Sequence, residues 1–88
     1  MSEQQTLLEF PCDFPIKAMG LADEGFEALI ITLVRKHVPD LGEGAVKRVD
    51  SKGGKYTSVT VTVRATSREQ LDNIYRELTA CEQVLMAL

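Results

Sequence analysis

The sequence contains no tryptophan, one histidine and two cysteines. Most metal centres and activated nucleophiles in proteins use histidine or cysteine, so this shortage removes the common routes to a catalytic or metal site. Walker, GxGxxG and HExxH patterns are also absent. We therefore expect no enzymatic activity, no catalytic residue, no bound metal and no cofactor. A catalytic site assembled across a dimer interface is the alternative that these absences leave open.

The few histidine and cysteine residues have structural interpretations. His37 follows the first predicted helix, where a cation is favoured by the helix dipole, and is interpreted as a surface residue. Cys12 and Cys81 form no CxxC motif, which predicts two reduced thiols. They are expected at opposite ends of the sheet, on the order of 20 Å apart and too far for a disulfide bond.

Targeting and membrane signals are missing as well. No basic region precedes an apolar stretch at the N-terminus, so we expect no signal peptide and a cytoplasmic location. No apolar run approaches the ~18 residues of a membrane span, which argues against a membrane partner. The composition, 44% hydrophobic and 26% charged over 88 residues, is that of one globular domain over residues 1–88, with residues 1–10 as a partly flexible arm.

Hydrophobic periodicity predicts the order strand, helix, strand, strand, helix, strand. Each helix has a single apolar stripe, and right-handed crossovers place both helices on the same face of the sheet. The prediction is an α+β ferredoxin-like βαββαβ sandwich with an antiparallel four-stranded sheet in the order 4-1-3-2. The predicted strands are residues 14–20, 45–51, 56–65 and 81–88, and the helices begin after an N-cap at Asp23 and a capping box at Thr66 or Ser67. The predicted core comprises Leu29, Ile30, Leu33, Val61, Val63, Ile74 and Leu78.

The sheet face without helices is the first candidate surface. Its predicted contacts are Lys17, Ser58, Thr60 and Thr62, with Met19 beside them. No aromatic side chain is predicted there for stacking bases, so nucleic-acid binding is not expected. A hydroxyl-rich face can be solvated, or can dock a second sheet or another protein.

Charge is unevenly distributed along the chain. Residues 1–30 have a net charge of −5, whereas residues 44–64 have a net charge of +4. A basic hairpin on an acidic chain can bind an anion or an acidic partner. Alternatively, its charges only keep an edge strand soluble and unpaired. The candidate hairpin residues are Lys47, Arg48, Lys52 and Lys55.

A glycine between a strand and a helix provides a third candidate site. Backbone N–H groups near a helix N-terminus can bind a carboxylate, although the glycine can equally serve the turn alone. The candidate ligand loop is Met19, Gly20, Leu21, Ala22 and Asp23.

Several short motifs together resemble those of the YbeD-like small bacterial proteins. They are Leu8-Glu9-Phe10-Pro11 followed by Phe14, Lys17-x-Met19-Gly20, Ser51-Lys52-Gly53, Tyr56-x-Ser58-Val59 and Ala65-Thr66. One departure is the turn Gly53-Gly54-Lys55, which is one residue longer than the family's. The resemblance implies a ferredoxin-like fold similar to ACT regulatory domains, which bind amino acids between paired subunits. It also implies an association with lipoate attachment, and Gly20 would match the ligand loop of ACT domains.

Two functions follow as hypotheses. The first is a non-catalytic regulatory or adaptor module that binds another protein, with the lipoate connection implied by the resemblance. The alternative is an ACT-like sensor of a small carboxylate or amino acid at the interface of a homodimer.

Overall fold

A computed structural model describes residues 9–88, apart from the side chain of Glu43. The predicted arm over residues 1–10 therefore lies mostly outside the described residues, although Phe10 packs against the core. The elements are β1 (Cys12–Leu21), α1 (Phe26–Arg35), a 3-10 turn (Glu43–Ala45), β2 (Val46–Asp50), β3 (Tyr56–Ala65), α2 (Arg68–Thr79) and β4 (Met86–Ala87).

The sheet confirms the predicted topology. Its strands lie in the order β2-β3-β1-β4, which is the predicted order in reverse, and every neighbouring pair is antiparallel. Because side chains alternate along a strand, each strand has one side toward the helices and one open side. In β3 the inward side is almost free of solvent from Thr57 to Ala65, which is the pattern expected for a sheet covered on one face.

The first helix begins later than predicted. Asp23 is not the N-cap: that position is Gly25, which has no side chain to bond the helix. Instead, the Asp23 carbonyl accepts a hydrogen bond from the Phe26 N–H at 3.1 Å. A backbone hydrogen bond within a turn therefore replaces the predicted cap by the Asp23 side chain.

The buried stripe of α1 also differs from the prediction. Phe26, Ile30 and Val34 are buried, at the i, i+4, i+8 spacing of one helix face. Leu29 and Leu33 are only partly buried, so the prediction that both are nearly solvent-free is wrong. The helix sequence contains more apolar residues than one face can bury, so the buried stripe is narrower than predicted, and Leu29 and Leu33 lie beside it. The other five predicted core residues are buried: Ile30, Val61, Val63, Ile74 and Leu78.

The second helix begins at the predicted capping box. Ser67 is the N-cap, and its hydroxyl accepts a hydrogen bond from the Gln70 N–H at 3.1 Å. The Gln70 side chain reaches back to the Thr66 N–H at 2.7 Å, which satisfies a second free donor at the helix start. Its amide nitrogen also donates to the His37 carbonyl at 3.0 Å. Gln70 thus connects the start of α2 to the end of α1.

The last strand is much shorter than predicted. Only Met86–Ala87 forms a strand, because the chain continues turning after α2. The Cys81 N–H donates to the Leu78 carbonyl, and the Val84 N–H donates to the Cys81 carbonyl, both at 3.1 Å. Cys81 therefore lies in this turn instead of opening the strand. Both cysteines are free thiols and half-buried.

None of the helices in the described part of the chain is long and apolar enough to cross a membrane.

Candidate functional site

The open side of the sheet brings the predicted face residues together. Lys17 pairs with Thr60, Met19 with Ser58, and Thr62 with Pro15. Thr62 is exposed, whereas Ser58 and Thr60 are half-buried because they lie between neighbouring strands. The predicted contacts therefore form one continuous surface across β3 and β1.

One end of this open side is apolar. Across the four strands, Val49, Ser58, Met19 and Met86 form one row of cross-strand neighbours. Val49 is 64% exposed and Met86 51% exposed. At about 4.8 Å between strands, this row spans roughly 14 Å.

Three more apolar side chains flank this row. Tyr56 and Leu21 are directly opposite each other in the register and are 40% and 55% exposed. Leu88 exchanges two backbone hydrogen bonds with Lys17, which places both side chains on the open side. We call this end of the sheet the apolar patch: Met19, Leu21, Val49, Tyr56, Met86 and Leu88.

The four basic hairpin residues do not form a single cluster. Lys47 faces the open side opposite Thr60, while Arg48 pairs with Val59 and faces the helices. Lys52 lies in the turn, and the Lys55 ammonium lies 5.5 Å from the centroid of the Tyr56 ring, within the range of a cation–π contact.

Among the four hairpin residues, Arg48 is the one whose charge has acidic neighbours within 4.0 Å. Its guanidinium lies 3.1 Å from the Asp50 carboxylate and 4.0 Å from Glu27 on α1. Hydrogen bonding by the Thr57 hydroxyl, and then by Arg48, lowers the pKa of Asp50 below its ordinary value of 3.8. These contacts hold Arg48 against the helix layer, where it does not contribute to the open face.

The proposed ligand loop is differently built. Met19, Gly20 and Leu21 belong to β1, which extends one residue beyond the predicted end at Gly20. The Ala22 N–H donates to the Lys55 carbonyl at 2.8 Å and is not free for a ligand. A Cβ at Gly20 would overlap the Gln83 carbonyl oxygen and lie 2.5 Å from the Phe26 ring. Close packing by itself accounts for the glycine.

Two cavities border these elements. One of about 260 Å³ beside Gly20 is lined by Leu21, Phe26, Glu82, Gln83 and Leu85. Its one ionisable lining residue is acidic, which disfavours a carboxylate ligand. Another of about 390 Å³ lies between α1 and the edge strand β2, and is lined by Glu27, Ile31, Arg35 and Val46.

His37 has a structural environment. Its Nε2 lies 3.8 Å from the Glu77 carboxylate, and Lys36 lies 3.5 Å from the same residue. These contacts join the end of α1 to α2. Within residues 9–88, no three His, Cys, Asp or Glu side chains come together as a metal site.

The apolar patch was not anticipated from the sequence. Val49 lies in a segment dominated by charge, and Met86 and Leu88 have the alternation of an ordinary buried strand. Strand order and periodicity together could have indicated the patch. Once β4 lies beside β1, the residues of β4 that pair with Met19 and Lys17 must have their side chains on the same open side of the sheet.

The fold and register define a small α+β protein of the ferredoxin-like type with one uncovered sheet face. The chain belongs to the family described as "Protein of unknown function (DUF493)", whose model matches residues 5–88. This agrees with the resemblance to YbeD-like small bacterial proteins.

Curated relatives match over nearly the whole chain. A "UPF0250 protein" of Paraburkholderia phytofirmans is 51% identical over 87 residues, covering 99% of this chain and 98% of its own. Another, from Neisseria gonorrhoeae, is 44% identical over 91 residues, and the match covers 100% of this chain and 100% of that protein.

A solved structure supports the fold. The solution structure of protein HP0495 from H. pylori superimposes with a TM-score of 0.70 at 14% sequence identity, covering 92% of this chain and 85% of that chain. At this identity the likeness concerns the fold alone.

Proposed function

We propose that this chain is a non-catalytic adaptor or regulatory module that binds a partner protein through the open face of its sheet. The observation that carries the proposal is the apolar patch. Among the described residues, the large apolar side chains with the highest exposure are Leu21, Val49, Tyr56, Leu85, Met86 and Leu88, and all except Leu85 lie on this patch. Scattered exposed apolar residues are ordinary, but a contiguous group is typical of an interaction site.

The surroundings of the patch resemble those of a protein interface. Tyr56 and the two methionines supply large or adaptable apolar contacts, which are enriched in interface centres. Lys17 and Lys47 lie in the adjacent row and supply a charged rim. An apolar centre with a basic rim favours a partner whose own surface is apolar and acidic, because complementary charge speeds encounter and rejects other partners.

The test is affinity capture from bacterial lysate with matched variants. The Val49→Asn and Met86→Gln double variant removes apolar contact from the patch at two exposed positions, so the fold should be retained. Each side chain contributes on the order of 1 kcal/mol when covered, and capture should therefore weaken about tenfold or more.

Leu85→Gln is the matched control. Leu85 is 61% exposed but lines the cavity with Phe26, on the helix side of the same edge. The Leu85→Gln substitution should leave capture of the partner protein unchanged. Equal capture by the wild type and the double variant, or an equal loss with Leu85→Gln, would refute the open face as the binding surface.

A further inference from the structure

The edge strand β2 has a free backbone side. The Ser51 N–H donates to the Tyr56 carbonyl at 2.8 Å, so Ser51 lies in a hydrogen-bonded position opposite β3. Hydrogen-bonded positions alternate along an antiparallel strand, so the backbone groups of Val49 and Lys47 also bond to β3. The N–H and C=O groups of Val46, Arg48 and Asp50 then point away from the sheet, where a further strand can pair.

A cavity lies between α1 and this edge strand. Glu27, Ile31 and Arg35 are spaced four residues apart and share one face of α1, and with Val46 they line the cavity of about 390 Å³. Ile31 and Val46 are partly buried against the core. The cavity therefore lies where inward side chains of a strand next to β2 would be placed, and Ile31 and Val46 form the apolar part of its lining.

The edge selects the charge of its occupant. Arg48 has acidic neighbours in Glu27 and Asp50, whereas Lys47 and Lys52 form no ion pair with any described side chain. Positive charge thus remains available beside the free backbone groups. A second copy of β2 would bring the same basic residues to this edge, and like charges on paired strands are destabilising.

From these observations we infer that β2 binds an extended acidic segment of a partner protein as a fifth strand of the sheet. Alternate apolar side chains of that segment enter the cavity over Val46 and Ile31, and the acidic ones face Lys47. Main-chain hydrogen bonds supply affinity, and the cavity and lysines supply selectivity, as in other cases of strand addition. The free backbone groups of β2 and the cavity lie outside the apolar patch of the proposed function, and Lys47 borders both surfaces.

The test uses fluorescein-labelled eight-residue peptides, one of alternating valine and glutamate and one of alternating valine and lysine. Arg48→Pro removes an outward N–H while sparing the bonds to β3, a position where an edge strand tolerates proline. Arg48→Ala is its matched control, because it removes the same ion pairs but keeps the N–H. Fluorescence anisotropy measures binding, and circular dichroism checks the fold.

The acidic peptide should bind the wild type and Arg48→Ala with similar affinity, and Arg48→Pro at least about tenfold more weakly, since a backbone bond is lost and the ring blocks the edge. In NMR spectra of the wild type, the Val46 and Arg48 amides should shift more than those of Met19 and Met86. Larger shifts at Met19 and Met86, no binding to the wild type, or equal affinity for the lysine peptide would overturn the inference.

Two further outcomes separate this inference from the alternatives. Met86→Gln should bind the acidic peptide normally, so a failure at the edge is distinguishable from a failure of the open face. If sedimentation shows a dimer that Arg48→Pro dissociates, the occupant of the edge is a second copy and the inference is wrong.

Discussion

Replacing Gly20 with alanine tests how the end of β1 packs. The added Cβ would overlap the carbonyl oxygen of Gln83 and approach two carbons of the Phe26 ring, at 2.5 and 2.9 Å. Neither neighbour moves easily, because the first is backbone and Phe26 is only 2% exposed. Inserting a methyl group into a packed site costs typically 1–3 kcal/mol. We expect a loss toward the upper end, about 2–3 kcal/mol.

Thermal and urea unfolding measure this loss directly. A loss of that size lowers Tm by about 10–20 °C in a domain of this length. Gly42→Ala is the matched control, because a Cβ at Gly42 meets no atom within 4 Å and should change the free energy of unfolding by less than about 0.5 kcal/mol.

A double variant separates packing from other causes. Phe26→Leu removes the ring atoms that the new methyl group would meet, so the two substitutions together should cost less than the sum of their separate effects. A Gly20→Ala protein that melts within a degree or two of the wild type would refute the packing explanation, as would strict additivity with Phe26→Leu.

The remaining predictions concern the core, pH and small ligands. Ile30→Ala should cost about 2–5 kcal/mol in urea unfolding and Leu33→Ala distinctly less, because Ile30 is buried and Leu33 is only partly so; equal losses would contradict the assigned helix face. Asp50 has a lowered pKa in the folded protein, so its ionised form stabilises the fold above the unfolded pKa, and this contribution disappears as pH falls through the folded value. Asp50→Asn should therefore be less stable than the wild type at pH 7, and the difference should shrink as pH falls below the ordinary carboxyl pKa of 3.8, as measured by urea unfolding at each pH; a constant difference would contradict the assignment. Amino acids and lipoate at millimolar concentration should leave Tm unchanged in a thermal-shift screen, because the cavity beside Gly20 offers an acidic side chain; a concentration-dependent rise would favour the sensor alternative.

The fold was predictable because its strongest signals are local and mutually consistent. The alternation of β-branched residues in β3 indicates a strand, and the capping box at Thr66 or Ser67 indicates the start of a helix. Together with the strand and helix order, they leave few topologies that obey crossover handedness. The sheet order follows from this combination.

Other features depend on contacts that no local pattern contains. In α1, apolar residues occupy so many positions that periodicity predicts one wide stripe with both Ile30 and Leu33, and it does not distinguish the fully buried residue from the partly buried one. The length of β4 depends on how the chain turns after α2. The short final strand differs from the predicted one because hydrogen bonds at Cys81 and Val84 continue that turn.

The candidate site was predictable only in part. Periodicity placed Lys17 and Thr60 on the open side, where the register pairs them. The apolar patch joins Val49 to Met86 across all four strands, and such a surface exists only after the strands are ordered. The close approach of Phe26 to Gly20 is likewise tertiary, so the glycine was interpreted as a loop residue.

Site-specific photo-crosslinking in bacterial cells tests the central claim most directly. A photoreactive phenylalanine analogue at Val49 or Met86 lies on the apolar patch, whereas the same group at Thr32 lies on the exposed side of α1. The open-face account predicts that positions 49 and 86 crosslink to the same protein and that position 32 does not. Crosslinks to that protein from position 32 alone, or no crosslink from either patch position, would contradict it.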